Sequence, residues 1–83
     1  MEYVAIRMKL RGEGLSLDEE LARRNELADR IEDNGIGVVV GSGLGRGEMD
    51  IGVELADATI GVPAIREIAE ELGIADVEID RQD

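Results

Sequence analysis

An α+β fold, one antiparallel sheet backed by two helices, is predicted for these 83 residues by three observations. Apolar and polar residues alternate at period two in four short stretches, which marks half-buried strands. Two further stretches repeat apolar residues at helical spacing, and the six fall in the order strand, helix, strand, strand, helix, strand. A chain of this length is expected to form a single domain, residues 1–83, with a small stability margin, because a short chain buries a modest fraction of its unfolded surface.

Each element has its own signal. Val4, Ile6, Met8 and Leu10 alternate with Tyr3, Ala5, Arg7 and Lys9, giving a first strand with one wet face. After the turn RGEGL, Ser16 followed by Glu19 forms a capping-box pattern that starts a helix at Leu17. Leu17, Leu21, Leu27, Ala28 and Ile31 share one side of that helix, and Asn34-Gly35 supplies a left-handed stop. Ile36, Val38 and Val40 continue as the second strand; Met49, Ile51, Val53 and Leu55 form the third and pair with it as a hairpin around GSGLGRG. Pro63 suits the first turn of a second helix, with Ile65, Ile68, Ala69 and Leu72 at helical spacing and Gly73-Ile74 as its close. Val77 and Ile79 make a short fourth strand, after which Arg81, Gln82 and Asp83 are expected to fray.

With right-handed crossovers this order is the ferredoxin-like α/β plait, βαββαβ, its four strands in sheet order 4-1-3-2 with both helices on one face. The other face is then left open, with Tyr3, Ala5, Arg7 and Lys9 flanked by Glu48, Asp50, Gly52 and Glu54 on one neighbour and Glu78 and Asp80 on the other. A basic central strand between two acidic ones is either a solvated ion-pair lattice or a polar docking face. Tyr3, the one aromatic residue, is placed to cover a strand glycine near Gly52 or Glu54. Arg24 falls in the apolar stripe of the first helix, where its head is expected to snorkel past a helix edge or pair with a carboxylate.

Composition removes whole classes of function. Without cysteine or histidine there are no disulfides, thiol nucleophiles, imidazole ligands or neutral-pH imidazole bases, so no enzyme activity, catalytic residue or cofactor is expected. Twenty acidic residues against nine basic ones, a net charge of −11, argue against a nucleic-acid partner. No apolar run approaches the roughly 20 residues of a membrane helix, and a soluble cytoplasmic protein is expected. The alternating carboxylates Glu48, Asp50 and Glu54 suit a hard cation, but Arg7 and Lys9 compete for them and no metal site is expected.

Glycines at 41, 43, 45 and 47 leave two uses open. In one, Gly41, Gly43, Gly45, Arg46 and Gly47 lie beside Arg11, Gly12, Gly14 and Ser16 and hold a small anion or an amino acid with backbone N–H groups and two guanidinium forks. The stretch is not a P-loop, since no Lys-Ser/Thr follows it and it leads into a strand, and Glu13, Asp18, Glu19 and Glu20 crowd the same helix start. In the other, the glycines bare the outer side of the second strand beyond Val39, permit a bulged hairpin, and leave an edge that pairs with another chain. The contact surface would then draw on Tyr3, Arg7, Lys9, Val39, Asp50 and Gly52.

The segment Gly43–Ile51, GLGRGEMDI, resembles the G-x-G-x-G-E-x-D-I hairpin of small bacterial ferredoxin-like proteins of unknown function, a likeness that implies the plait and assigns no activity. A second likeness, by element order, is to ACT regulatory domains, which implies amino-acid binding at the first strand-to-helix loop across a dimer; the Pro-Gly those domains carry there is replaced by GEGLS. The sequence therefore leads to a non-catalytic interaction or regulatory domain whose partner is another copy of itself or a second protein, with an ACT-like sensor of small anions or amino acids as the alternative.

Overall fold

A computed structural model describes residues 1–10, 17–74 and 77–82. Its elements are β1 (Glu2–Lys9), α1 (Leu17–Asp33), β2 (Gly37–Gly45), β3 (Glu48–Leu55), α2 (Ala58–Glu71) and β4 (Glu78–Gln82). The sheet runs β2-β3-β1-β4 with every neighbour antiparallel, which is the plait order expected from the sequence.

The period of two places the core. Val4, Ile6 and Met8 of β1 and Met49, Ile51, Val53 and Leu55 of β3 are buried in one cluster with Leu27 and Ile31 of α1 and Ala58, Ile65, Ile68 and Ala69 of α2. Both helices thus cover the same side of the sheet. Each large apolar side chain buried this way contributes about 1.5–3 kcal/mol relative to exposure.

Both helix ends follow their glycines. At α1, Gly35 (φ 66°) donates to the Glu32 carbonyl and Ile36 N–H to the Ile31 carbonyl; at α2, Gly73 (φ 71°) donates to Glu70 and Ile74 N–H to Ala69. These are paired Schellman closures. The capping box at Ser16 lies outside the described residues.

Four expectations are corrected. First, α2 starts at Ala58 and not at Pro63: Asp57 caps it by accepting from the Thr59 N–H at 2.9 Å, and Pro63 sits inside the helix. Gly61 and the β-branched residues around it argue locally for a loop, but Gly61 packs directly on Leu55, where a Cβ would come within 2.9 Å of Cδ1, so tertiary packing overrides propensity. Second, Leu17 is exposed and Glu20, at 5 % exposure, takes a buried position on α1; the rest of the expected stripe stands, with Leu27 and Ile31 buried, Leu21 and Ala28 packed against the core, and Arg24 half-buried among them. Third, Arg81 and Gln82 do not fray: they pair in β4 opposite Val4 and Tyr3. Fourth, Val38 and Val40 are half-exposed, while Val39 packs on the core.

Glu2 joins three elements at the lower end of the sheet. Its Oε2 accepts from the Ala58 N–H at 2.6 Å, and its Oε1 accepts from Arg81 Nη2 at 2.8 Å. The helix N-terminus favours a carboxylate, and the backbone bond from Ala58, followed by the Arg81 guanidinium, holds Glu2 below the ordinary carboxylate range. Its stabilising effect is therefore present above the ordinary carboxylate pKa and is lost as pH falls through the lowered folded value. In urea titrations across the acid range, Glu2→Gln is expected to lower stability at neutral pH and to flatten the acid limb; equal acid limbs for the two proteins would contradict this role.

Candidate functional site

The uncovered face of the sheet follows from the strand registers. Tyr3 stands opposite Glu54, Ala5 opposite Gly52, Arg7 opposite Asp50 and Lys9 opposite Glu48, while Glu78, Asp80 and Gln82 oppose Arg7, Ala5 and Tyr3 from the other side. The expected ion-pair lattice forms on one flank. Arg7 Nη2 pairs with Asp80 at 2.5 Å and Glu78 at 3.2 Å, whereas Lys9 and Asp50 make no ion pair among the described residues. These pairs are well exposed, so each is worth at most about 1 kcal/mol.

On β2 a bulge changes the phase. Val38 opposes Glu54 and Val39 opposes Val53, but Gly41 opposes Gly52, leaving Val40 as the extra residue. Val39 therefore points to the helix side with Val53, and its expected place on the outer face is taken by Val38. Past the bulge the glycines return to the outer face: Gly41, Gly43 and Gly45 oppose Gly52, Asp50 and Glu48. They are strand residues, and the hairpin loop proper is only Arg46-Gly47, at φ 52° and 76°, the type I′ pattern.

The bare glycines divide into two kinds. A Cβ at Gly43 would meet the Asp50 carboxylate at 2.8 Å, and one at Gly52 would collide with the Tyr3 hydroxyl and ring, so these two make room for side chains lying flat across the sheet. The tyrosine lid over Gly52 is the arrangement expected from the sequence. At Gly41 and Gly45 a Cβ would meet nothing within 4 Å. No contact among the described residues accounts for their missing side chains.

Two side chains of α1 reach the β2 backbone. Glu32 Oε2 accepts from the Val39 N–H at 3.2 Å, and Arg24 Nη1 donates to the Gly43 carbonyl at 3.2 Å, which resolves the arginine in the apolar stripe as a tether. The Leu10 N–H donates to the Gly47 carbonyl at 2.8 Å, fixing the hairpin tip against the end of β1. Arg11, Gly12, Gly14 and Ser16 lie outside the described residues. Of their expected companions, Gly41, Gly43 and Gly45 are alternate residues of an extended strand, so their N–H groups run parallel toward one edge at a spacing of about 7 Å and do not converge on one anion. Among the described residues no three metal-binding side chains gather into a site, and no helix is long and apolar enough to cross a membrane.

What this surface offers is backbone and apolar contact. The two edges of the sheet differ: β4 has five residues, with Glu78, Asp80 and Arg81 charged, and β2 has nine with no charge at all. Val38, Val40 and Leu44 on β2 are 49, 51 and 48 % exposed. The uncharged run was readable in the sequence; the bulge that exposes Val38, the Glu32 contact and the Glu2 junction were not, because each depends on a register or a tertiary neighbour.

No family model, curated protein or solved structure matches the chain.

Glycine substitutions separate the two kinds of position. Gly52→Ala is expected to cost about 1–3 kcal/mol in urea unfolding, since Tyr3 must move, whereas Gly41→Ala should be neutral or stabilising by about 0.4–1 kcal/mol through the unfolded state. Equal losses at both would contradict the assignment. Arg46→Asn is expected to stabilise by up to about 1 kcal/mol by relieving a left-handed arginine; a loss would mean that Arg46 has a further partner.

Proposed function

We propose that the chain is a non-catalytic interaction domain that self-associates by adding β2 of one copy to β2 of another. The single observation that carries this is the asymmetry of the edges. Natural sheets guard their edges with charge, brevity or proline, and β4 is short and charged, while β2 is long, uncharged and lined by half-exposed Val38, Val40 and Leu44. In a chain of net charge −11, a two-fold antiparallel pairing needs a strand that sets no like charges against each other, and the composition of β2 supports that. Gly41 and Gly45, where a Cβ would meet no contact among the described residues, allow close approach of a second backbone.

Such an interface is small, so association is expected to be reversible and concentration-dependent. Mutual repulsion of two acidic copies should make it tighten as salt rises. Light scattering on size-exclusion fractions over a wide concentration range tests this. The expected result is a monomer–dimer equilibrium weakened about tenfold or more, equivalent to ~1.4 kcal/mol, by Val40→Lys or Leu44→Lys and left unchanged by Gln82→Lys on the β4 edge. A monomer at every concentration and salt, or equal effects at both edges, would overturn the proposal.

A further inference from the structure

The lower end of the molecule, where α1 enters β2 and β3 enters α2, carries two shallow clefts of about 270 and 330 Å³. They share a floor of Gly35, Ile36 and Ala56, so they form one continuous depression. The two volumes straddle the usual lower bound of small-ligand pockets, about 300 Å³, a size that suits one or two side chains. Its walls are apolar and open: Ile60 in the first turn of α2 is 71 % exposed, and Val38 at the start of β2 is 49 % exposed. An isoleucine so exposed, beside an apolar floor, is left without a neighbour to bury it.

The rim is predominantly anionic, its one cation being the Met1 amino group. Glu32, Glu54 and Asp57 line the clefts, no lysine or arginine does, and none of the three carboxylates is ion-paired among the described residues. Glu32 and Asp57 accept only backbone N–H groups, from Val39 and Thr59. An anionic ligand is repelled here, as is an acidic lipid surface. A complementary occupant sets an apolar side chain on Ile36 and Ile60 and cationic groups against the three carboxylates.

We infer that this depression docks a basic amphipathic peptide segment of a partner protein, arginine or lysine flanking a large apolar residue. The assignment is independent of β2 pairing at its decisive residue, since Ile60 belongs to α2.

The test uses the full ¹⁵N-labelled chain and three peptides of equal length: arginine with leucine, arginine with serine, and glutamate with leucine. The arginine–leucine peptide is expected to move the amides of Gly35, Ile36, Ile60 and Gly61 in a saturable way, less tightly at high salt. Ile60→Lys should weaken it about tenfold or more while circular dichroism stays unchanged, and Ile60→Ser should do so to a lesser degree. The site is overturned if the arginine–serine peptide binds equally well, which would mean diffuse attraction to an acidic protein. It is also overturned if the shifts fall elsewhere or are absent at millimolar peptide, or if both Ile60 variants bind like the parent chain.

Discussion

The register of β1 against β3 is the constraint from which the rest of the structure follows. Val4 opposite Val53, Ile6 opposite Ile51 and Met8 opposite Met49 put the large buried apolar residues of the two central strands on the side the helices cover. A slip of one residue would turn that set to solvent and bury Arg7, Asp50 and Glu54, so the burial of these apolar side chains fixes the alignment. The same register fixes the far side. It brings Tyr3 diagonally across Gly52 and keeps Arg7 on the open face, where the register of β1 against β4 sets it beside Glu78 and Asp80. Core and open face are two consequences of one alignment.

The strand β2 is where that discipline loosens. With β3 on one side only, it bulges between Val39 and Gly41, and the bulge lets Val39 reach the core while the glycines keep to the outer face. Arg24 and Glu32 of α1 then hold its backbone from the helix side. Both are side-chain contacts near the surface, and a second strand offers the same groups a ladder of backbone bonds. The proposed pairing of β2 between copies would thus be an exchange of hydrogen bonds, driven by the half-exposed valines and leucine it would cover. At the opposite edge Arg7 and Arg81 knit β4 to the rest of the sheet through Glu78, Asp80 and Glu2, and an incoming strand meets charge.

Element order, sheet order and the outer-face residues of β1, β3 and β4 were legible in the sequence, because alternation and paired glycine stops are local signals read directly from residue type. The phase of β2 was not: three consecutive valines, Val38 to Val40, satisfy either alternation, and although the glycines permit a bulge, its position does not show in a pattern of period two. The start of α2 was hidden for a related reason, since Gly61 and its β-branched neighbours read as loop until Leu55 is known to lie against them. Nothing in the local sequence marks Glu2 or Glu32, and only the tertiary structure gives each a backbone donor. The candidate site was therefore legible as an uncharged, glycine-rich strand, and its shape was not.

The claim that β2 is an open border of the sheet is tested most directly by amide hydrogen exchange, residue by residue, at several protein concentrations. The expected result is protection that grows with concentration in the Gly41–Gly45 stretch and stays constant in β4. Protection of β2 that is the same at every dilution would contradict it, because the strand would then be satisfied within a single copy.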